Sequence, residues 1–308
     1  MITVQSISKY DKEHPTAITI GTFDGVHIGH RKILERLIDN ARVLGLKSTV
    51  LTFFPHPRMV LQQDVSIQLL NTVEEKVRIM RDLGLDYLIV HPFTKEFSRL
   101  SANEFVGGVL VGDLRMKKII IGYDHRFGRN RNADINDLKE FGNTLDFEVE
   151  EISAQEINDV SVSSTKIRKA LEEGDIQTAN AFLGYKYMLN GIIVKGKGLG
   201  KKLDFPTANL AISEAYKLIP KDGVYVVSST INGLTVYGMM NIGFNPTFEG
   251  KMRTIETNFF DFDQDIYGQN LQIDIIDRIR DEHKFGSVEA LKAQLRKDRE
   301  VSLSIISK

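Results

Sequence analysis

Along the first 185 positions, short apolar runs alternate with stretches of helical periodicity. Runs of strand length occupy residues 17–21, 48–54, 87–90, 118–122 and 147–152. Between them, apolar positions recur every three to four residues over 30–45, 73–83, 101–111 and 136–142. In the first of these stretches Ile33, Leu34, Leu37, Ile38, Ala41 and Leu44 make a single stripe. Such alternation predicts an α/β unit, a parallel sheet covered by helices on both faces. Ligands on such sheets bind at the C-terminal strand ends, which points to the loops after 17–21, 48–54 and 118–122.

From about Lys186 the pattern changes. Strand-like runs follow one another at 188–195, 223–231, 235–242, 253–262 and 271–279, with Asn232-Gly233 as a two-residue hairpin signal. Thr254, Glu256 and Asn258 alternate with Ile255, Thr257 and Phe259, giving that strand a polar face suited to lining a site. Val288, Leu291, Leu295 and Leu303 mark a final helix. The prediction is an antiparallel β-barrel with a C-terminal helix, and two domains, 1–185 and 186–308.

A length of 308 residues suits two domains. With 40 basic and 41 acidic side chains there is no cationic surplus, which argues against a nucleic-acid partner and against a tRNA ligase. The absence of Cys excludes disulfides, thiolate metal sites and a thiol nucleophile, and fits a reducing compartment. Residues Met1 to Glu13 carry Lys9, Asp11, Lys12 and Glu13 and lack the apolar core of a signal peptide. No apolar run approaches the ~20 residues of a membrane span. The expectation is a cytoplasmic protein with small-molecule substrates and no membrane or nucleic-acid partner; self-association is left open.

The candidate chemistry begins at Gly21-Thr22-Phe23-Asp24-Gly25-Val26-His27-Ile28-Gly29-His30, between a strand and a helix. A glycine-rich turn brings backbone close to an anion, a helix N-terminus offers free N–H groups, and two His three apart can face one ligand. Phe54-Pro55-His56-Pro57 closes the second strand, and Gly122-Tyr123-Asp124-His125-Arg126-Phe127-Gly128 closes another. Ser161-Val162-Ser163-Ser164-Thr165-Lys166-Ile167-Arg168 opens a helix. Its hydroxyls suit simple capping, yet Lys166 and Arg168 oppose the helix dipole at that end, which makes sense if an anion binds there.

Gly21 to His30 resembles the nucleotide-binding motif of the nucleotidylyltransferase superfamily. With Phe23-Asp24-Gly25 before the first His it is similar to the adenylyltransferase half of the bacterial bifunctional riboflavin kinase/FAD synthetase family. Pro55-His56-Pro57, the 122–128 loop and Ser163-Ser164-Thr165 with Arg168 resemble further patterns of that family. The resemblance implies a Rossmann-like nucleotidylyltransferase domain in which His27 and His30 hold ATP phosphates. Gly21, Thr22, Phe23, Asp24, Gly25, Asp124, Ser163, Ser164, Thr165 and Arg168 would complete the ATP site. His27, His30 and Arg168 are the implied catalytic groups, and the flavin would lie near Phe54, His56, Pro57 and Phe127. The implied reaction is attack of the FMN phosphate on the α-phosphorus of ATP to give FAD and pyrophosphate. It needs positioning and charge stabilisation rather than a protein nucleophile. Two departures stand out: His125 where the family has Phe, and Ala133 where it has Gly.

In the second half, Lys195 to Lys202 (KGKGLGKK) looks like a nucleotide loop, but it lacks the Walker A spacing and follows no βαβ unit. A flexible basic loop between strands is the alternative. The next segment, Asp204-Phe205-Pro206-Thr207-Ala208-Asn209-Leu210, resembles the riboflavin kinase signature. That resemblance implies ATP binding by Gly196, Gly198, Lys201, Pro206, Thr207 and Asn209, with Thr207 and Asn209 as oxygen ligands of Mg²⁺. By sequence alone Glu256 reads as an exposed strand carboxylate; the resemblance makes it the base that takes the proton of the ribityl 5′-hydroxyl. Tyr267-Gly268, Arg278-Ile279-Arg280 and Asp281 to Phe285 are also similar, while Asp204 stands for a common Gly and Asn258 for a common His. Together these motifs imply phosphorylation of riboflavin to FMN, then adenylylation to FAD. The rivals are an enzyme with one inactive half, a flavin- or nucleotide-binding regulatory module, and a tRNA ligase fragment.

Overall fold

The structure is a computed structural model that describes residues 1–62, 67–122, 125–153, 162–196, 200, 203–247 and 250–307. It falls into two compact units, Met1–Ser164 and Thr165–Lys308.

The first unit is a six-stranded parallel sheet in the order β1-β4-β3-β2-β5-β6. Its strands are β1 (Ile2–Val4), β2 (Thr16–Ile20), β3 (Lys47–Phe53), β4 (Tyr87–His91), β5 (Met116–Gly122) and β6 (Glu148–Ile152). All five residues of β2 are buried, as a central strand covered on both faces requires. The helices are α1 (Ile28–Leu44), α2 (Pro57–Leu61), α3 (Val73–Asp82), α4 (Glu104–Asp113) and α5 (Ile135–Leu145). Leu34, Leu37, Ile38 and Ala41 bury the predicted stripe of α1, and Gly45 ends the helix in the left-handed region at φ 66°. The helix expected over 101–111 is shifted and wound more loosely than an α-helix, its end closed by Leu114 N–H on Val109 O at 3.0 Å. The edge strand β1 was not foreseen, because three residues are too few to show a period.

The second unit contains a closed antiparallel barrel in the order β10-β11-β8-β7-β12-β9. These strands are β7 (Met188–Val194), β8 (Ala208–Ala211), β9 (Gly223–Ile231), β10 (Leu234–Thr247), β11 (Gly250–Phe259) and β12 (Asn270–Arg280). Asn232 at φ 52° and Gly233 at φ 81° make the predicted hairpin turn between β9 and β10. Helix α8 (Val288–Ile306) is tied to β12 by Arg280, which donates to both Asp298 carboxylate oxygens at 3.0 and 2.7 Å. Helices α6 (Ser164–Glu173) and α7 (Ile176–Leu183) belong with the barrel rather than with the sheet. Asn180 donates to Ile275 O at 2.9 Å, and Leu171 O accepts from Lys221 N–H at 2.9 Å. The apolar residues Ile167, Ala170, Leu171, Ile176, Ala179 and Leu183 of these helices are buried.

Candidate active sites

The strand order of the sheet reverses between β2 and β5, which opens a crevice beyond the C-terminal end of β2. There the chain turns sharply through Phe23 at φ 46°, Gly25 at φ 87° and Val26 at φ 34°. A β-branched residue in that region is strained, and strain of this kind is a mark of ligand sites. Asp24 anchors the turn: its Oδ1 accepts from Leu70 N–H at 2.9 Å, and its carbonyl accepts from Ser164 Oγ at 2.8 Å.

The turn delivers His27 as the N-cap of α1, its Nδ1 accepting from His30 N–H at 3.3 Å. That bond places the proton of a neutral His27 on Nε2. The two imidazoles stack at 3.7 Å with 14° between planes. Gly29 makes this possible, since a Cβ there would come within 3.3 Å of the His27 ring. The His30 Nδ1 is buried with no hydrogen-bond partner. Burial lowers His27 to about 4, outweighing the attraction of Asp24. Burial also holds His30 well below its ordinary value, helped by His27 and Lys76. Both rings are therefore neutral donors at pH 7 in a site of low dielectric beside a helix N-terminus, an arrangement suited to phosphate.

The predicted partners divide. Gly21, Thr22, Phe23, Asp24, Gly25, His27 and His30 form one continuous turn, although the Asp24 carboxylate is directed to backbone. Ser163 and Ser164 close the first unit, whereas Thr165 and Arg168 lie on α6 in the second. Asp124 lies outside the described residues. His56 caps α2, with its Nδ1 accepting from Arg58 N–H at 3.2 Å and Pro57 as the first helical residue.

Phe127 joins an aromatic wall of Phe53, Phe93, Phe97 and Phe105, with neighbouring centroids 5.5–6.3 Å apart. His125 lies nearly parallel to Phe127, 6.3 Å away and 20° off its plane. Phe54 adjoins this wall in sequence and is half-buried. Ala133 exchanges backbone hydrogen bonds with Phe127 at 3.1 and 3.2 Å. The left-handed positions of that loop are Gly128, Asn130 and Arg131, so residue 133 has no need of Gly.

In the barrel, antiparallel pairing sets Glu256 of β11 directly opposite Asn209 of β8. Thr207 Oγ1 donates to Glu256 Oε2 at 3.4 Å, so residues named from two distant segments converge. Asn258 holds the approach to β8 by donating to Pro206 O at 2.7 Å. The Asn209 side chain lies against Gly196, where a Cβ would collide with it. Asp204 takes φ 65°, which explains why Gly is common there; Asp is among the residues that tolerate it. Gly198 and Lys201 lie outside the described residues.

Two features escaped the sequence reading. The loop after β4 supplies Phe93 and Phe97, although strand-end reasoning applies to it as much as to its neighbours. Lys76, 8% exposed, donates from Nζ to Thr22 O at 2.6 Å. It shares the buried face of α3 with Ile79 and Met80, and a cation in that stripe was the available signal.

Fold and sites define a class: a protein of two phosphate-handling units, one a parallel α/β sheet and one an antiparallel barrel. Residues 9–166 match the family described as FAD synthetase, and residues 183–306 the family described as riboflavin kinase. The chain is 38% identical to the bifunctional riboflavin kinase/FMN adenylyltransferase of Listeria monocytogenes, covering 94% of this chain and 92% of that one. It is 34% identical to the protein of the same name from Bacillus subtilis, covering 96% and 94%. The fold matches a Streptococcus pneumoniae protein described as a macrolide-efflux protein with TM-score 0.88, at 32% identity over 98% of both chains. Among the described residues here, no helix is long and apolar enough to cross a membrane. The chain belongs to the bifunctional riboflavin kinase/FMN adenylyltransferase family.

Proposed function

We infer that this chain makes both flavin coenzymes in succession, phosphorylating riboflavin to FMN in the barrel and joining FMN to AMP in the sheet unit. The observation that carries the reading is the presence of both constellations on one chain: the stacked His27–His30 pair, and the convergence of Thr207, Asn209 and Glu256.

In the barrel, Glu256 accepts the proton of the riboflavin 5′-hydroxyl as that oxygen attacks the γ-phosphorus of ATP, and ADP departs. The oxygen donors here, the Thr207 hydroxyl just before β8 and the Asn209 amide on it, lie beside the Glu256 carboxylate and fit a hard divalent ion. Thr207 and Asn209 would hold Mg²⁺, which when bound neutralises charge on the ATP phosphates. Gly196 leaves room for the Asn209 side chain, and Asn258 fixes the segment that carries Thr207.

In the sheet unit a phosphate oxygen of FMN attacks the α-phosphorus of ATP, and pyrophosphate leaves. His27 and His30 donate to phosphate oxygens, and the α1 N-terminus adds its dipole. Phe127 and the aromatic wall offer a flat apolar surface for the isoalloxazine. His125 preserves a planar ring in that wall, which favours two working sites over one. Balanced charge and the lack of Cys support a cytoplasmic enzyme that acts without nucleic acid.

A time course with riboflavin, ATP and Mg²⁺ tests the reading. FMN should appear first and FAD later, with ADP and pyrophosphate as the respective by-products. FMN that accumulates without FAD would mark the sheet unit as inactive, and no turnover of either flavin would support a regulatory module.

A further inference from the structure

Lys76 is a charged side chain buried in the core of a unit whose other ions lie mainly at the surface. Three observations give it a direction. Its Nζ donates at 2.6 Å to the carbonyl of Thr22, within the turn that carries His27 and His30. Its helix is held rigidly at the start, since Thr72 Oγ1 accepts from Glu75 N–H at 3.2 Å and Glu75 accepts from Thr72 N–H at 3.0 Å. The neighbouring His30 Nδ1 is buried and without a partner. A buried cation is costly unless something compensates it. Here a neutral carbonyl and the Asp24 carboxylate do so in part, and Asp24 is also occupied by the backbone of Leu70 and Asn71.

We propose that Lys76 is a positioning residue of the adenylyltransferase site, a buried ammonium that fixes the Thr22 carbonyl and lends its charge to the phosphates at His30. The inference rests on the assignment of that site to nucleotide transfer. An incoming phosphate adds to the counter-charge that Asp24 gives in part, so phosphate binding is favoured beside this buried ammonium. The groups that face Lys76 are Asp24 from the turn and His30 from α1. Burial lowers Lys76 to about 8, against the pull of Asp24. Its charge is thus present at neutral pH and lost as the pH rises through about 8.

The test measures FAD formation from FMN and ATP against pH in the full-length chain, with riboflavin phosphorylation and thermal unfolding measured in parallel. The wild type should lose kcat/KM for ATP above about pH 8. Lys76→Met should lower that value ~10–100-fold at pH 7 and abolish the alkaline limb, because a preorganised charge has been removed. Riboflavin phosphorylation should not change. Lys76→Arg, which stays charged, should retain activity at pH 9 and move the limb upward. It also carries the test if the Met variant fails to fold. A limb that stays in place in Lys76→Arg, or a Lys76→Met enzyme with wild-type kcat/KM, overturns the proposal. His30→Ala separates the two levels. If it abolishes FAD formation while Lys76→Met does not, only the role of Lys76 falls; if neither affects FAD formation, the assignment of the site falls as well.

Discussion

At the end of β2 the first unit offers an anion nitrogen donors, two imidazoles kept neutral by burial beside a helix N-terminus. In the barrel the second unit presents oxygens: a hydroxyl, an amide and a carboxylate on adjoining strands. Nitrogen donors meet a phosphate directly, so their effect depends on burial, tautomer and the direction of each N–H. A carboxylate repels a phosphate unless a divalent ion lies between, so the effect of the oxygen set depends on strand register and space. On the proposed reading, the same kind of substrate is approached through a sheet crevice in one unit and through cross-strand pairing in the other. Each should break in its own way.

The largest break expected is in the barrel. Glu256→Gln keeps the size of the side chain but removes the proton acceptor, and should slow riboflavin phosphorylation ~10²–10⁴-fold. FMN added to the same variant should still become FAD. Wild-type phosphorylation by Glu256→Gln would return this residue to an ordinary strand carboxylate.

His30→Ala is the counterpart in the sheet unit. Loss of a donor aimed at developing phosphate charge should lower FAD formation ~10²–10³-fold and leave FMN formation alone. Equal losses in both reactions would contradict two separate sites.

Acid should also distinguish the units. His27 ionises at about 4 in the fold and near 6.5 in the unfolded chain, so between those values the unfolded state binds more protons. The stability that burial of a neutral His27 permits is complete above pH 6.5 and is lost as the pH falls towards 4. The loss is at most ~3 kcal/mol. Calorimetry from pH 7 down to pH 4 should show the sheet transition moving to lower temperature more than the barrel transition. A shift of the same size in both would remove His27 as the cause.

Gly196→Ala should have the smallest effect. The added methyl meets the Asn209 side chain, and displacement of that amide should weaken the use of Mg²⁺-ATP by the kinase ~10-fold. FAD formation from FMN should be unaffected. Normal Mg²⁺ dependence in this variant would show that Asn209 tolerates being moved.

The chain by itself determined a good deal. Strand–helix alternation gave the parallel sheet, Asn232-Gly233 gave a hairpin, and the turn from Gly21 to His30 fell between a strand and a helix as expected. All of these are local: period, propensity and turn chemistry act within a few residues, so they can be read in order along the chain. Motifs made the barrel residues candidates, but periodicity left Glu256 a surface carboxylate. Only the pairing of β8 with β11 sets it opposite Asn209, 47 positions earlier in the chain.

Tertiary packing decided the rest. It grouped α6 and α7 with the barrel, where Asn180 donates to Ile275 O and Leu171 O accepts from Lys221 N–H. It assembled the aromatic wall from the end of β3, the segment after β4, helix α4 and the loop after β5. It turned Lys76 inward, where its Nζ reaches the Thr22 carbonyl 54 positions away. Burial is a property of the whole fold, and burial moves the ionisation of His27, His30 and Lys76. A sequence can therefore name the residues of such a site, while their charge states follow from what the folded chain places around them.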